Sequence, residues 1–501
     1  KNRKNILAVE RFMKKFYLTV RDVGSLTRLI CTEIDHIYSR KKLYPNQNKG
    51  EDFKRDNLVI EDGKVSIAGF VEINKNPGVI FKLFKFAQER NLEIHPNALN
   101  KVWRNQRLFS KKSLSELKVS NYFIQIMMSN NNAEGYLRLL SDFGVLGRLF
   151  KEYRKITAQM QFDMYHHYTV DEHTIRAIGI LNRIESGELS YEHNLATTIV
   201  KKISSRRVLY LSVFLHDIAK GQSGDHSILG EKIARDLCPR LGLDEEEVNE
   251  VAWLVRWHLI MSHTAFKRDL GDLKTIEDFA RFVGIKERLN MLLLLTISDI
   301  SAVGPNTWNA WKGQLLKNLY ESTYELMDGL SETPLNKRIS IAKDKLKTKL
   351  KWSKKDYNQF VNLHYDSYWL SNDLTSQIRH ANIIKNQNFQ NKVLKIDGHI
   401  DTINAITEIN VYATDHPGLF SSLAGSLTLA GAIVLDAKVS TTKNGMALDS
   451  FWVQNSINLP YSNNSDLEKL FRYIKSGVQD KSWLQKEYQN KKFDSQQNKN
   501  Y

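Results

Sequence analysis

Cysteine is almost absent from this sequence of 501 residues. The two cysteines, Cys31 and Cys238, are far apart and match no known spacing of metal ligands. The sequence therefore excludes a disulfide framework and a thiolate metal site, and it favours a reducing compartment. We expect the protein to be cytoplasmic.

Long apolar runs are also lacking. The longest, Val208 to Leu215 and Leu289 to Ile297, fall well short of the roughly 20 residues that cross a bilayer. We therefore predict no membrane span and no membrane partner. Because the sequence begins at Lys1 without a charged and then apolar leader, we predict no signal peptide and expect an internal fragment of a longer protein.

Positive charge is in excess, with a net charge of +16 at pH 7. Such a charge suits a nucleic acid, an acidic protein or a phosphorylated substrate. The densest basic cluster, residues 343–355, alternates lysine with apolar residues and has neither an aromatic stacking platform nor a helix-turn-helix pattern. We interpret it as a solvated helix face and expect no nucleic-acid partner.

Apolar periodicity predicts several domains, most of them helical. Spacings of three or four residues predict helix in residues 1–45 and through most of 136–324. A hairpin is predicted between these regions, around Glu61-Asp62-Gly63. After a linker rich in Asn and Gln at 386–391, alternation and turn residues predict a βαββ unit followed by a helix.

One predicted buried helix ends in two residues that can bind metal. The apolar segment Val208 to Gly221 presents His216 and Asp217 side by side, where both side chains can reach one ion at the helix edge. A lone pair of this kind is more often a histidine capped by its neighbouring acid. The pair therefore needs support from elsewhere in the sequence.

Two other predicted helices supply that support. A helix that begins near Asp171 carries His173 in its first turn, and the apolar segment Leu289 to Ile300 carries a single acid, Asp299. A buried carboxylate needs a cation or a basic partner nearby. Two imidazoles and two carboxylates suit a divalent ion that keeps positions open for water.

These residues and their surroundings resemble the HD phosphohydrolase superfamily. Within that superfamily, the sequence closely resembles the uridylyl-removing domain of the bifunctional uridylyltransferase/uridylyl-removing enzymes of nitrogen regulation. The similarity is carried by the runs QFDMYHHYTVDEHT, FLHDIAKGQSGDHSILG, WLVRWHLIMSHTAFKRDL and GPNTWNAWKGQLL, and by DHPGLFSSLAGSL nearer the C-terminus.

The resemblance implies a mainly α fold class. A helical HD-type phosphohydrolase domain would be preceded by a helical region and followed by an α+β ACT domain of the ferredoxin-like βαββαβ order. The implied division is residues 1–155 for the helical region after a missing nucleotidyltransferase domain, 156–345 for the HD uridylyl-removing domain, 346–400 for a linker, 401–482 for the ACT domain and 483–501 for a polar tail.

The resemblance also implies an activity. His173, His216, Asp217 and Asp299 would be the ligands of a divalent metal, Mg²⁺ or Mn²⁺. The substrate would be the uridylylated PII signal protein, from which water releases UMP, and glutamine would be the effector.

Three further residues are candidates for a second metal or for the substrate phosphate. By similarity to two-metal HD proteins, His226 and His258 could bind either one, and Lys220 could neutralise a phosphate. His258 also lies on an apolar stripe, so a buried structural histidine is an equal interpretation. Lys220 could equally be a solvated lysine at a helix end.

The ACT region provides a candidate effector site at Asp415, His416, Pro417, Gly418 and Leu419. In the ACT fold this loop meets a helix N-terminus, whose free N–H groups can hold a carboxylate. A structural role, pairing with a second ACT copy, is the alternative.

Two competing functions remain open at this stage. Another HD phosphohydrolase, such as a (p)ppGpp hydrolase, can also carry an ACT domain, and a non-catalytic amino-acid sensor could merely bind PII. The sequence also lacks the Gly-Ser-x-Asp-x-Asp motif with which the family transfers UMP. We therefore assign the transferase activity to the parent protein and not to this chain.

Overall fold

A computed structural model describes residues 2–39, 57–109, 117–160, 167–328, 335–385, 394–461, 464–480 and 483–489, apart from residues 62, 70, 74, 306, 403, 404 and 458. The chain divides into two compact units. Residues 1–263 and 283–308 form the first unit, and residues 264–282 and 309–501 form the second.

The elements from residue 2 to residue 302 are mainly helical, as predicted. In chain order they are α1 (Asn2–Ser39), β1 (Leu58–Glu61), β2 (Lys64–Ile67), α2 (Val79–Arg90), α3 (Pro96–Asn105), α4 (Leu117–Met127), α5 (Ala133–Asp142), α6 (Val145–Leu149), α7 (Lys151–Ile156), α8 (Val170–Ser186), α9 (Asn194–Val200), α10 (Arg206–Leu215), α11 (His226–Leu237), α12 (Glu245–Trp257), α13 (Ile260–Lys267), α14 (Leu273–Val283) and α15 (Lys286–Ala302). The predicted hairpin is confirmed, since β1 and β2 pair antiparallel.

Helix α10 forms because its sequence is capped at one end and is mostly apolar and buried from Val208 to Leu215. The Ser205 side chain accepts a hydrogen bond from the Val208 N–H at the start of the helix. At the other end, the ring of Phe214 lies 5.3 Å from that of Phe150 and 5.6 Å from that of Tyr153. This packing fixes the point at which the chain leaves the helix.

The helix is shorter than the sequence predicts. Helix α10 ends at Leu215, whereas we expected it to continue to Gly221. Gly221 has a φ of +76°, and a Cβ atom there would lie 1.6 Å from Nε2 of Gln159. The chain therefore turns sharply through His216 to Gly221, and the turn requires glycine at its last position.

Helices α8 and α15 pack against each other and against α10. The apolar run of α15 is buried over Leu289–Ile297, which explains why its sequence shows no polar face. The start of α8 is fixed by Asp171, whose carboxylate accepts a hydrogen bond from the Ala158 N–H at 3.0 Å.

The second unit contains helices and a four-stranded antiparallel sheet. Its remaining elements are α16 (Ala310–Met327), α17 (Leu335–Leu350), α18 (Lys354–Leu363), α19 (Asp366–Ser371), α20 (Leu374–Lys385), β3 (Leu394–Asp401), β4 (Ile406–Thr414), α21 (Leu419–Leu429), β5 (Ile433–Thr441), β6 (Met446–Gln454) and α22 (Asn464–Gln479). One sheet face packs on α21 and α22, with Val411 and Phe451 of the sheet and Leu423 of α21 in the shared core. The other face packs through Tyr412 and Leu448 on side chains of the preceding helices.

The ACT-like α+β class is confirmed, but the element order differs from βαββαβ. The strand order in the sheet is β3-β4-β6-β5, so the edge strand beside β4 comes before the unit instead of after α22. Residues 346–400, interpreted as a linker, therefore include α18, α19, α20 and most of β3. The Asn- and Gln-rich segment 386–391 and the tail from 490 onwards lie outside the described residues.

Among the helices that the structure describes, none has the length and apolar character needed to cross a bilayer.

Candidate metal centre

The structure brings the four predicted metal ligands together in the first unit. His173 Nε2 lies 3.2 Å from His216 Nε2 and 3.1 Å from Asp299 Oδ1. Asp217 Oδ2 lies 3.4 Å from His216 Nε2 and 3.7 Å from His173 Nε2. The first turn of α8, the end of α10 and the last turn of α15 thus supply donor atoms to one point.

The spacing of these atoms fits a single divalent ion. Four ligands at about 2.1 Å from an ion lie about 3.0 Å apart in octahedral geometry and about 3.4 Å apart in tetrahedral geometry. The separations between a histidine Nε2 and another donor atom of the four run from 3.1 Å to 3.7 Å. His173, His216 and Asp217 form a buried group that could hold a metal ion.

The protonation of His216 also fits a metal ligand. Its Nδ1 lies 2.7 Å from the carbonyl oxygen of Val213, and because a carbonyl only accepts, Nδ1 carries the proton. The other ring nitrogen, Nε2, therefore faces His173 and the two carboxylates. This is the usual arrangement of a metal-bound histidine, in which a hydrogen bond at the far nitrogen fixes the tautomer.

A second group of donor atoms shares Asp217 with the first. Asp217 Oδ1, the oxygen turned away from the first group, lies 3.8 Å from His226 Nε2 and 3.9 Å from His258 Nε2. His258 follows the end of α12, and its Nδ1 donates to the Val255 carbonyl oxygen at 2.8 Å. Asp217, His226 and His258 form another group that could hold an ion.

Lys220 lies beside the first group. Its Nζ is 2.7 Å from Asp217 Oδ2, within the turn that ends at Gly221. The lysine therefore pairs with a candidate metal ligand, which the sequence did not indicate. Its side chain remains 15% exposed, so its ammonium group is also within reach of solvent.

Exposure shows from which side a substrate can enter. The side chains of His173, His216, Asp217 and His258 are at most 3% exposed, whereas Asp299 is 17% and His226 is 29% exposed. Together with Lys220, these two residues form the open side of the centre. A phosphate that enters there meets an imidazole and an ammonium group first.

The carboxylates of Asp217 and Asp299 stabilise the protonated form of His216. Burial raises the pKa of Asp217, but Lys220 and His216 lower it more, to well below its usual range. Burial likewise raises the pKa of Asp299, and hydrogen bonds from His173 and His216 outweigh that effect. Burial lowers the pKa of His216, yet Asp217 and Asp299 raise it to about 10 overall. The protein thus compensates the buried anions with a cation at this point.

The two histidines of the second group have lowered pKa values, in contrast to His216. Burial and the neighbouring His216 lower the pKa of His258 to about 4, and burial also lowers the pKa of His226. Both imidazoles are therefore neutral near pH 7, which is the form that binds a metal.

Four of the predicted effector residues, Asp415 to Gly418, lie in the second unit in the exposed loop before α21, and Leu419 is the buried first residue of that helix. Asp415 Oδ2 accepts a hydrogen bond from Thr441 Oγ1 at 3.1 Å. Gly418 has a φ of +91° and precedes the buried Leu419, whose N–H donates to the His416 carbonyl oxygen at 3.1 Å. Pro417 is exposed beside them.

Two contributions to the metal centre were missed from the sequence. The Val213 and Val255 carbonyl oxygens fix the tautomers of His216 and His258 from one helical turn away. Each histidine follows the last residue of a helix, where carbonyl groups have no intrahelical donor. A histidine just after an apolar helix is the sequence signal that could have indicated this arrangement.

Comparison with known proteins identifies an HD domain in this part of the chain. The sequence model of the HD domain matches residues 170–299, which include all the residues of both groups. A second model, described as the third domain of the uridylyltransferase GlnD, matches residues 60–149.

Similar proteins are bifunctional uridylyltransferase/uridylyl-removing enzymes. The chain is 43% identical to that of Azospirillum brasilense over 453 residues, which is 89% of this chain and 49% of the relative. It is 42% identical to that of Rhodospirillum rubrum, over 89% of this chain and 48% of the relative. The relative from Erythrobacter litoralis is 39% identical, over 95% of this chain and 52% of its own length.

The chain thus spans about half the length of the curated relatives that it matches. It is a homologue of the bifunctional uridylyltransferase/uridylyl-removing enzymes, and it contains an HD domain at residues 170–299.

Proposed function

We propose that this chain is the uridylyl-removing part of such an enzyme and hydrolyses UMP from the uridylylated PII signal protein. The observation that carries the proposal is the convergence of His173, His216, Asp217 and Asp299 inside the region that matches the HD domain, where each carboxylate lies 3.1 Å to 3.7 Å from the two histidine Nε2 atoms. The names of the relatives supply the reaction.

In this proposal, these four residues hold Mg²⁺ or Mn²⁺, and His226 and His258 hold a second ion or the substrate phosphate. A divalent ion bound there would lower the pKa of a water molecule and neutralise charge on the phosphoryl oxygens. Asp217 belongs to both groups, because its Oδ2 faces His216 and its Oδ1 faces His226. It can bridge two positions without a change of rotamer.

Lys220 and His226 receive the substrate. Both lie on the open side, where their N–H groups can donate to the non-bridging oxygens of the phosphodiester. Water attacks phosphorus and the bond to the tyrosine oxygen breaks. One proton of the water ends on that oxygen, so the products are the free tyrosine hydroxyl and UMP, which carries the oxygen of the water. No covalent intermediate with the protein is required.

Glutamine is the proposed effector, and its site is the loop from Asp415 to Leu419. The loop supports this role because it is exposed and leads directly into the first turn of α21. Free N–H groups in that turn favour a carboxylate.

The test is UMP release from uridylylated PII in the presence of Mn²⁺. We expect release by the wild-type chain and none by the double variant His216→Ala with Asp217→Ala. A matched control is His399→Ala with Asp397→Ala, which removes the same residue types from exposed positions of β3. Binding of uridylylated PII without any release by the wild-type chain would favour the non-catalytic sensor instead.

A further inference from the structure

Helix α1 exposes a continuous apolar stripe on one face. The helix runs from Asn2 to Ser39, and seven of its large apolar side chains are 45% to 68% exposed: Phe12, Phe16, Val20, Val23, Leu26, Ile30 and Ile34. Their spacing of three and four residues places them on one side of the helix. We call these seven residues the α1 stripe. An exposed apolar surface of this extent marks an interaction site.

The opposite face of α1 holds the helix on the first unit. The hydroxyl of the buried Ser25 donates to the Asp142 carbonyl oxygen at 3.2 Å. Arg28 pairs with the Asp142 carboxylate at 3.8 Å. The Lys14 ammonium group donates to the Lys155 carbonyl oxygen. A surface helix normally turns its polar side chains outwards, so the reversed arrangement of α1 indicates that another apolar surface covers the stripe.

The α1 stripe is symmetric about Val23. Its other members occur in pairs at equal distances from this residue in the sequence: three residues for Val20 and Leu26, seven for Phe16 and Ile30, and eleven for Phe12 and Ile34. Two copies of α1 that run antiparallel and meet at Val23 therefore place each end of one stripe against the opposite end of the other. A two-fold axis requires a surface that is complementary to itself in this way.

The charges at the edge of the stripe are also complementary in this pairing. Lys15 and Glu33 lie on the same edge, because the 18 residues from one to the other make five helical turns. In the antiparallel pair, Lys15 of one copy lies about 3 Å along the helix axis from Glu33 of the other copy, whereas a parallel pair would leave them about 27 Å apart. The antiparallel direction thus gains two ion pairs at the edges of the contact.

The area of the stripe suits a dimer. Val9 and Tyr38, which are 40% and 66% exposed, continue the stripe at its two ends. A large apolar side chain has on the order of 150–200 Å² of surface and these nine are about half exposed, so they offer roughly 800 Å² per copy. Each partner contributes about this area to a standard specific interface. A second copy of the chain therefore suffices to cover the stripe.

We propose that the protein forms a two-fold symmetric dimer in which the α1 stripes of two copies pack antiparallel and meet at Val23. None of the stripe residues belongs to the metal centre or to the effector loop. The dimer and the proposed function can therefore be tested separately.

The first test is the oligomeric state. Light scattering of the 501-residue chain at micromolar concentration should give twice the chain mass of 58.0 kDa. The variant Phe16→Lys with Ile30→Lys should be monomeric, because it would place ammonium groups inside an apolar contact. The matched control, Tyr191→Lys with Ile457→Lys, changes exposed apolar residues outside α1 and should remain dimeric.

Circular dichroism checks that each variant is folded. A monomeric wild type would overturn the proposal, because the stripe would then need a different partner. A folded Phe16→Lys with Ile30→Lys variant that remains dimeric would also overturn it.

The second test is cross-linking, which reports the direction of the pair. Cys31 is exposed, whereas Cys238 is buried. Met13 lies 18 residues before Cys31 and therefore on the same edge of the stripe. In the antiparallel pair, position 13 of one copy lies about 3 Å along the axis from Cys31 of the other copy, whereas the two Cys31 residues lie about 24 Å apart.

A short bis-maleimide should therefore join two chains of Met13→Cys and leave the wild type as single chains on denaturing electrophoresis. Met13→Cys with Cys31→Ser is the matched control and should remain as single chains. Joining of wild-type chains through Cys31 would indicate a parallel pair. Failure to join Met13→Cys chains would exclude the contact at Val23, and either result would overturn the proposal.

Discussion

Replacing Asp217 with asparagine should remove both candidate metal positions at once. The substitution keeps the size of the side chain but removes its negative charge: one oxygen becomes an NH₂ group, which cannot bind a metal, and the other becomes a neutral amide oxygen, which binds a divalent ion more weakly. Because Oδ2 faces His173 and His216 while Oδ1 faces His226 and His258, one change affects both groups.

The size of the effect follows from the surroundings of Asp217. Loss of a residue that merely supports a metal ligand costs about ten- to a hundredfold in affinity or activity, so loss of a shared ligand should cost at least about a hundredfold in UMP release. Breaking a buried ion pair costs about 3–5 kcal/mol. Lys220 is 15% exposed and can turn to water, so we expect a loss of stability near the lower end of that range.

The assay measures metal content and activity on the same samples. Bound Mn²⁺ is counted by elemental analysis after gel filtration, and UMP release is followed by chromatography, with circular dichroism as the check on folding. The matched variant His258→Gln alters only the group at Oδ1. We expect Asp217→Asn to retain no tightly bound Mn²⁺ and His258→Gln to retain the ion at the first group.

A folded Asp217→Asn variant with wild-type Mn²⁺ content and wild-type UMP release would refute the shared-ligand geometry. Loss of all Mn²⁺ from His258→Gln would refute the division into two groups.

Four other predictions follow from the site and the sheet. Chelation should abolish UMP release, and added Mn²⁺ or Mg²⁺ should restore it; full activity in a chain that elemental analysis shows to be metal-free would argue against the centre. Gly418→Val, at a φ of +91°, should weaken glutamine binding in calorimetry and reduce the effect of glutamine on UMP release. Burial raises the pKa of Asp449 from 3.8 to about 6. The wild type should therefore lose about 3 kcal/mol of stability relative to Asp449→Asn as the pH rises from about 4 to 6, and denaturant titrations at a series of pH values should show this difference growing and then levelling off. Incubation with labelled UTP and PII should give no labelled PII, and labelling would reveal a transferase site that the sequence analysis overlooked.

The sequence predicts the helices around the metal centre and the residues that meet there. His216 and Asp217 are evident because polar residues end an otherwise apolar helix, and Asp299 because it is a single acid in an apolar run. The sequence does not predict how Asp217 divides its two oxygens between two groups of histidines. That division depends on the turn from His216 to Gly221, which we predicted as helix, and on side chains that are distant in sequence.

Strand β3 escaped prediction for a different reason. Its sequence, LKIDGHID, follows a segment rich in Asn and Gln, and half-buried positions dominate over a clear alternation. Strand β3 lies at the edge of the sheet and is held in place mainly by backbone hydrogen bonds to β4. Backbone pairing does not depend on side-chain hydropathy, so the sequence pattern does not reveal the strand.

The position of β3 determines where a shorter fragment that contains the sheet can begin. A version that starts at residue 401, where the sequence analysis begins the ACT domain, would lack β3 and expose the backbone N–H and C=O groups of β4 from Ile406 to Ala413. Such an open, apolar strand edge recruits other chains and leads to aggregation. The cut would also remove His380, whose imidazole hydrogen-bonds Asn410 and Ser450 on the opposite sheet face. A soluble sensor fragment therefore has to begin ahead of α20, within or before the helices that precede the sheet.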